Sequence, residues 1–79
     1  MSHQEEPMDR ILLALHNLCA VSTELAKTSE ELAQTTGIDL NQLEALLKEL
    51  VSNGYIACSS EKRYYITGTG IIRVCSAFT

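Results

Sequence analysis

Between Thr28 and Gly54 the chain alternates two helix-start signals with two helix-stop glycines, and this punctuation restricts the fold more than any other feature of its 79 residues. Thr28-Ser29-Glu30-Glu31 has the spacing of a capping box, in which the threonine side chain accepts the amide three residues on and the glutamate reaches back. Gly37 suits the left-handed residue just past a helix end. Asp39-Leu40-Asn41-Gln42 repeats the start signal, with Gln42 as reciprocal partner, and Gly54 repeats the stop. Leu40, Leu43, Leu46, Leu47 and Leu50 form an apolar ridge through the second interval. The pattern predicts a short helix, a tight corner and a helix over about residues 40–53.

Upstream, Pro7 is placed to open a helix and Asp9 favours the positive end of its dipole. The spacing predicts a helix over about Met8 to Cys19, with Ile11, Leu12, Leu15, Leu18 and Cys19 inward. His16 and Asn17 face away, and Leu13 points out with this polar set. Val21 and Leu25 would carry the stripe on to Ala26, although Val21, Ser22 and Thr23 are weak helix formers. Downstream of Gly54 the period changes. Tyr55–Cys58 and Arg63–Thr67 are β-prone and separated by the polar Ser59-Ser60-Glu61-Lys62, which predicts a hairpin. Gly68-Thr69-Gly70 reads as a turn. Ile71, Val74, Cys75 and Phe78 then lie on one face of a short closing helix, a third strand being the alternative. The expected architecture is α+β, mainly α: three helices, a β-hairpin and a short C-terminal helix, with residues 1–7 a flexible lead-in and 8–79 one domain.

Composition narrows what such a domain does. A chain this short supports one core. No apolar run approaches the roughly 18 residues that span a bilayer, and the polar, acidic first ten residues carry no export signal, so a cytoplasmic location without membrane contact is expected. Cys19, Cys58 and Cys75 form neither a close pair nor a zinc-type cluster and are expected to be buried structural thiols. His16 has no second ligand at useful spacing, and His3 lies in the lead-in. No nucleophile elbow, phosphate loop or acid pair is present, so neither an enzyme nor a cofactor is expected. With a net charge of −4 the chain has no global attraction to phosphate. Nucleic-acid binding would have to come from a local basic patch or from a dimer that concentrates one.

The order of elements carries a resemblance. Ala33, Gly37, Leu43 and Leu46 have the spacing of the bihelical helix-turn-helix: a small residue at the crossing, a glycine in the turn, two apolar anchors on the second helix. The segment Leu47 to Ile56 resembles the L-x-x-L-x-x-x-G-[YLF]-[IV] passage from recognition helix into wing. Tyr64 to Gly70 is similar to the Y-x-[IL]-T-x-x-G run that closes the wing in MarR-like, ArsR-like and archaeal winged helix-turn-helix regulators. The likeness covers about residues 9–75. It implies a DNA-binding transcription regulator whose third helix enters the major groove of double-stranded DNA while the wing touches backbone or minor groove. The groove-facing positions would then be Asp39, Asn41, Gln42, Glu44, Ala45 and Lys48. Asn41 and Gln42 suit adenine, and Lys48 suits phosphate or guanine. Thr28 and Ser29 would offer hydroxyls and amides to a phosphate. Lys62 and Arg63, the sole adjacent basic pair, would serve the wing, with Tyr65 flanking them.

Other readings compete. Asp39, Glu44 and Glu49 place three carboxylates on or beside the reading face against one lysine. Asn41, Gln42 and Lys48 would equally serve as a solvated face, and Lys62 and Arg63 as a soluble turn. A homodimer through Leu13 and the tail Ile71–Phe78 would read two half-sites, while the same tail could pack on its own core. The alternative function is a protein-protein interaction or accessory module that does not bind DNA, its acidic helix suited to a basic partner.

Overall fold

The computed structural model describes residues 7–77. It contains α1 (Pro7–Asn17), α2 (Ser29–Thr36), α3 (Leu40–Ser52), β1 (Ile56–Cys58), β2 (Tyr64–Ile66) and α4 (Gly68–Ala77), with a 3-10 turn at Thr23–Leu25. The α+β, mainly helical expectation holds, and the C-terminal segment is a helix rather than a third strand. The predicted lead-in and Phe78 fall outside the described residues, apart from Pro7, which opens α1.

The local signals explain the α2–α3 unit. Thr28 caps α2 with a complete capping box: its hydroxyl accepts the Glu31 amide at 3.1 Å, and the Glu31 carboxylate accepts the Thr28 amide at 2.9 Å. Gly37, at φ 76°, ends α2 with its amide on the Ala33 carbonyl. Asp39 caps α3, but its carboxylate takes the Asn41 amide at 3.1 Å, two residues on. The expected reciprocal partnership with Gln42 is replaced by this shorter Asx-type contact. Leu43, Leu47 and Leu50 are fully buried, Leu46 is half-buried, and Leu40, at the helix's first turn, is exposed.

Two helix ends share one closure. After α3, the Tyr55 amide reaches the Leu50 carbonyl (3.1 Å) and the Gly54 amide reaches Val51 (3.0 Å), with Gly54 left-handed at φ 81°. After α1, the Ala20 amide reaches Leu15 (2.9 Å) and the Cys19 amide reaches His16 (3.1 Å), with Cys19 left-handed at φ 59°. Both are Schellman closures. The predicted continuation of α1 through Cys19 to Ala26 is therefore corrected. The chain reverses at Cys19, and this leaves Leu18, Cys19, Val21 and Leu25 exposed while Ala20 is fully buried against the core.

β1 and β2 pair antiparallel, with Ile56 opposite Ile66 and Cys58 opposite Tyr64. Both inner isoleucines are buried. A third extended segment lies along β2: Lys27 and Tyr64 exchange both backbone hydrogen bonds (2.9 and 2.7 Å), and the Ile66 amide donates to Ala20 (2.8 Å). The residues that precede α2 thus stitch the hairpin to the helices.

Three further expectations are corrected. Cys19, Cys58 and Cys75 are exposed, because they fall on a corner, at the strand end beside the hairpin loop and on the outer face of α4. Leu13 packs against the core, because α1 touches α2, α3 and α4 and so needs a wider apolar face than one stripe. Gly68 and Gly70 lie in the first turn of α4 rather than in a preceding turn. Thr67 starts that helix: its hydroxyl accepts the Gly70 amide at 3.2 Å and lies 2.6 Å from the Gly54 carbonyl oxygen. At the other end of the contact, Arg73 on α4 pairs with Asp9 on α1 at 2.9 Å and lies over the Tyr55 ring.

Candidate nucleic-acid interface

Burying Leu43, Leu47 and Leu50 fixes which side of α3 meets solvent. At 100° per residue, Asn41, Ala45 and Lys48 follow one another along the opposite side. All three are exposed. Gln42 and Glu49 flank this line on one side and Glu44 on the other, again exposed. The structure therefore brings Asn41, Gln42, Ala45 and Lys48 together on one accessible surface. Glu44 belongs to the same surface. It lies toward the hairpin, where its negative charge acts on Tyr64. The Tyr64 hydroxyl is raised above its ordinary pKa first by burial, then by Cys58, and then by Glu44.

The start of α2 is differently arranged. The Thr28 hydroxyl is engaged with Glu31 in both directions, accepting its amide and lying 3.1 Å from its carboxylate. That carboxylate already occupies the positive end of the helix. Its pKa is lowered, chiefly by the hydrogen bond from the Thr28 backbone, with help from the Thr28 hydroxyl, Lys27 and Arg63. Ser29 is half-buried beside it. Thr28 and Ser29 thus sit where an internal anion takes the place predicted for a phosphate.

The hairpin pair also divides. Ser59 organises the loop, its hydroxyl accepting the amides of Glu61 (3.3 Å) and Arg63 (3.2 Å) while its carbonyl accepts Lys62 (3.0 Å). Lys62 sits at the left-handed position, φ 61°, and is exposed. Arg63 turns back, its guanidinium 3.4 Å from the Ala26 carbonyl. Tyr64 and Tyr65 are both half-buried against the core, so Tyr65 supports the hairpin rather than extending from it. A shallow depression beside the loop is lined by Thr23, Glu24, Ser59, Ser60 and Glu61 and adds two carboxylates rather than a cation.

Sequence reasoning passed over Lys27, which joins Arg63 near Glu31. The extended residue just before a capping box was the available signal. Among the described residues no group of three metal-ligating side chains occurs, and no helix is long and apolar enough to cross a membrane. Comparison with protein-family models, curated proteins and solved structures finds no match for this chain.

Proposed function

We propose that this chain is a winged helix-turn-helix transcription regulator of the cytoplasm that binds double-stranded DNA, with α3 in the major groove and the hairpin as its wing. The observation that carries the reading is the exposed line Asn41, Ala45, Lys48 with Gln42 beside it, on a helix held by a preceding helix and a tight corner. Such a face offers two-pronged partners for adenine and a cation for guanine or phosphate. Lys62 and Arg63 supply the wing's cations; Arg63 would leave the Ala26 carbonyl, a long and weak contact, for a phosphate.

The regulator acts as a dimer in this reading. Leu13 is committed to the core. The contact therefore falls to the outer face of α4, where Ile72 is 67% exposed. A second reading, a winged helix that docks on a basic protein, is favoured by Glu44 and Glu49 on α3 and by the occupied start of α2.

Gel-shift titration against random duplex at low salt separates the two. The DNA reading expects weak, salt-sensitive binding, and K62A/R63A should lower the salt slope by about two counterions. No shift at any salt would overturn it.

A further inference from the structure

We propose that Glu44 and Lys48 together read one C·G base pair, with Glu44 as the residue that selects cytosine; this deepens the DNA-binding reading and rests on it. A groove-facing carboxylate is costly near a duplex carrying one charge per roughly 1.7 Å unless it accepts a hydrogen bond there. Three carboxylates lie on or near α3, and two are accounted for. Asp39 holds the Asn41 amide. Glu49 flanks the exposed line on the Gln42 side, away from the hairpin, and has no lysine or arginine one turn before or after it to meet a guanine. Glu44 is left. It is exposed and makes no ion pair among the described residues, although Lys48 stands one helical turn on.

An ionised carboxylate only accepts hydrogen bonds, and an ammonium only donates them. In the major groove, guanine presents the acceptors N7 and O6, and thymine presents O4. Cytosine presents the N4 donor, while adenine places its N6 donor beside the N7 acceptor. A carboxylate is therefore repelled at guanine and thymine, half-opposed at adenine and satisfied at cytosine. The guanine paired with that cytosine offers two acceptors alongside, which is what Lys48 on the next turn can meet. Acceptor beside donor on α3 thus complements donor beside acceptors on a C·G pair. Ala45, between them in sequence, has only a methyl group and does not obstruct the approach.

The test is selection from randomised duplexes at fixed salt, run on the full chain and on Glu44→Gln. The variant changes an exposed side chain without altering its size, and far-UV circular dichroism confirms that it folds. The wild-type protein should enrich cytosine at one position by about tenfold. E44Q should move that position toward adenine, which a glutamine amide fits with both its donor and its acceptor, and leave the other positions unchanged. It should also bind random duplex more tightly, because one repelled charge is gone. The tighter binding would follow from removing any nearby negative charge; the shift of one position from cytosine toward adenine is the effect that a merely structural role for Glu44 would not produce. Enriched sequences without a cytosine position that responds to E44Q would overturn this inference and leave DNA binding intact. Failure to retain any duplex would overturn both.

Discussion

Gly68 and Gly70 stand two residues apart in the first turn of α4, yet their replacement by alanine should move stability in opposite directions. At Gly68 an added Cβ meets nothing within 4 Å. Gly68→Ala removes unfolded-chain freedom and should stabilise by about 0.5 kcal/mol. At Gly70 the added carbon would lie well inside contact with the Tyr55 carbonyl oxygen and 2.6 Å from Cγ1 of Ile66. Neither neighbour yields readily. The Tyr55 oxygen accepts the Thr67 amide at 3.0 Å and lies 2.9 Å from the Thr67 hydroxyl, and Ile66 is buried in the core. Relieving the overlap means moving α4 off the α3–β1 corner or giving up one of those hydrogen bonds. Overpacking costs about 1–3 kcal/mol and a lost hydrogen bond about 1 kcal/mol, against a helix-propensity gain of about 1 kcal/mol. Gly70→Ala should therefore destabilise by about 1–3 kcal/mol, a sizeable share of the roughly 4–12 kcal/mol that a domain of this size has. At about 4–8 °C per kcal/mol, its Tm should fall by about 4–24 °C while that of Gly68→Ala rises by a few degrees. Urea titration followed by circular dichroism, with unchanged m, measures both. If Gly70→Ala proves as stable as Gly68→Ala, α4 does not seat on the Tyr55 carbonyl and the packing argument fails.

The other expectations concern helix ends. Cys19 occupies a left-handed position at φ 59° that glycine adopts without strain, so Cys19→Gly should stabilise by about 1 kcal/mol in the same titration; a loss of stability would show that the Cys19 side chain contributes more than the corner costs it. The Glu31 pKa is lowered in the folded chain, mainly by the Thr28 amide, so its contribution to stability is present above the unfolded-state value of about 4.3 and fades as pH falls through the lower folded value. Thr28→Ala, which removes the capping hydroxyl, should cost about 1 kcal/mol at pH 7 and progressively less on acidification as Glu31 is protonated and its own tie to the cap weakens. A cost independent of pH in a stability-versus-pH series would contradict that coupling.

The α2–α3 unit was legible because each of its determinants acts within about four residues. The capping box at Thr28, the left-handed Gly37 and Gly54 and the ridge from Leu43 to Leu50 are local chemistry and reappear in the structure, while Leu40 is exposed and Gln42 does not join the Asp39 cap. What escaped the sequence depends on distant partners. The reversal at Cys19 is fixed by backbone bonds and by Ala20, which is buried and accepts the Ile66 amide beside β2, so a residue other than glycine takes the corner and gives no signal. Leu13 turns inward because α1 is enclosed by three helices, and one-dimensional periodicity cannot count neighbours. Gly70 is demanded by a carbonyl fifteen residues earlier in the chain. Among the candidate site residues, Asn41, Gln42, Ala45 and Lys48 were readable as the complement of the leucine ridge. The engagement of Thr28 by Glu31 was readable as the capping box itself, although the phosphate role assigned to Thr28 ignored it. The turning back of Arg63 was not readable, since a side chain's choice between solvent and a distant carbonyl depends on tertiary placement.

That redistribution of charge bears on how the proposed regulator would have to work. With the start of α2 filled by its own glutamate, the cations that this reading sets against a duplex in one copy are Lys48, Lys62 and Arg63. Once Lys48 is given to guanine, the two wing cations correspond to a salt slope of about −1.8, and two copies on one site to about −3.6. Specific binders with nanomolar affinity commonly need the larger number of contacts, because each released counterion adds affinity that a small, acidic domain cannot draw from its net charge. Glu44 sharpens the same requirement. A carboxylate that lowers affinity for every wrong base lowers the non-specific background as well, so one copy would hold DNA weakly and only two copies in register would hold it firmly. Specificity bought by repulsion and affinity gained by pairing would then be two consequences of one surface, which is why the exposed face of α4 matters as much to the DNA reading as α3 does.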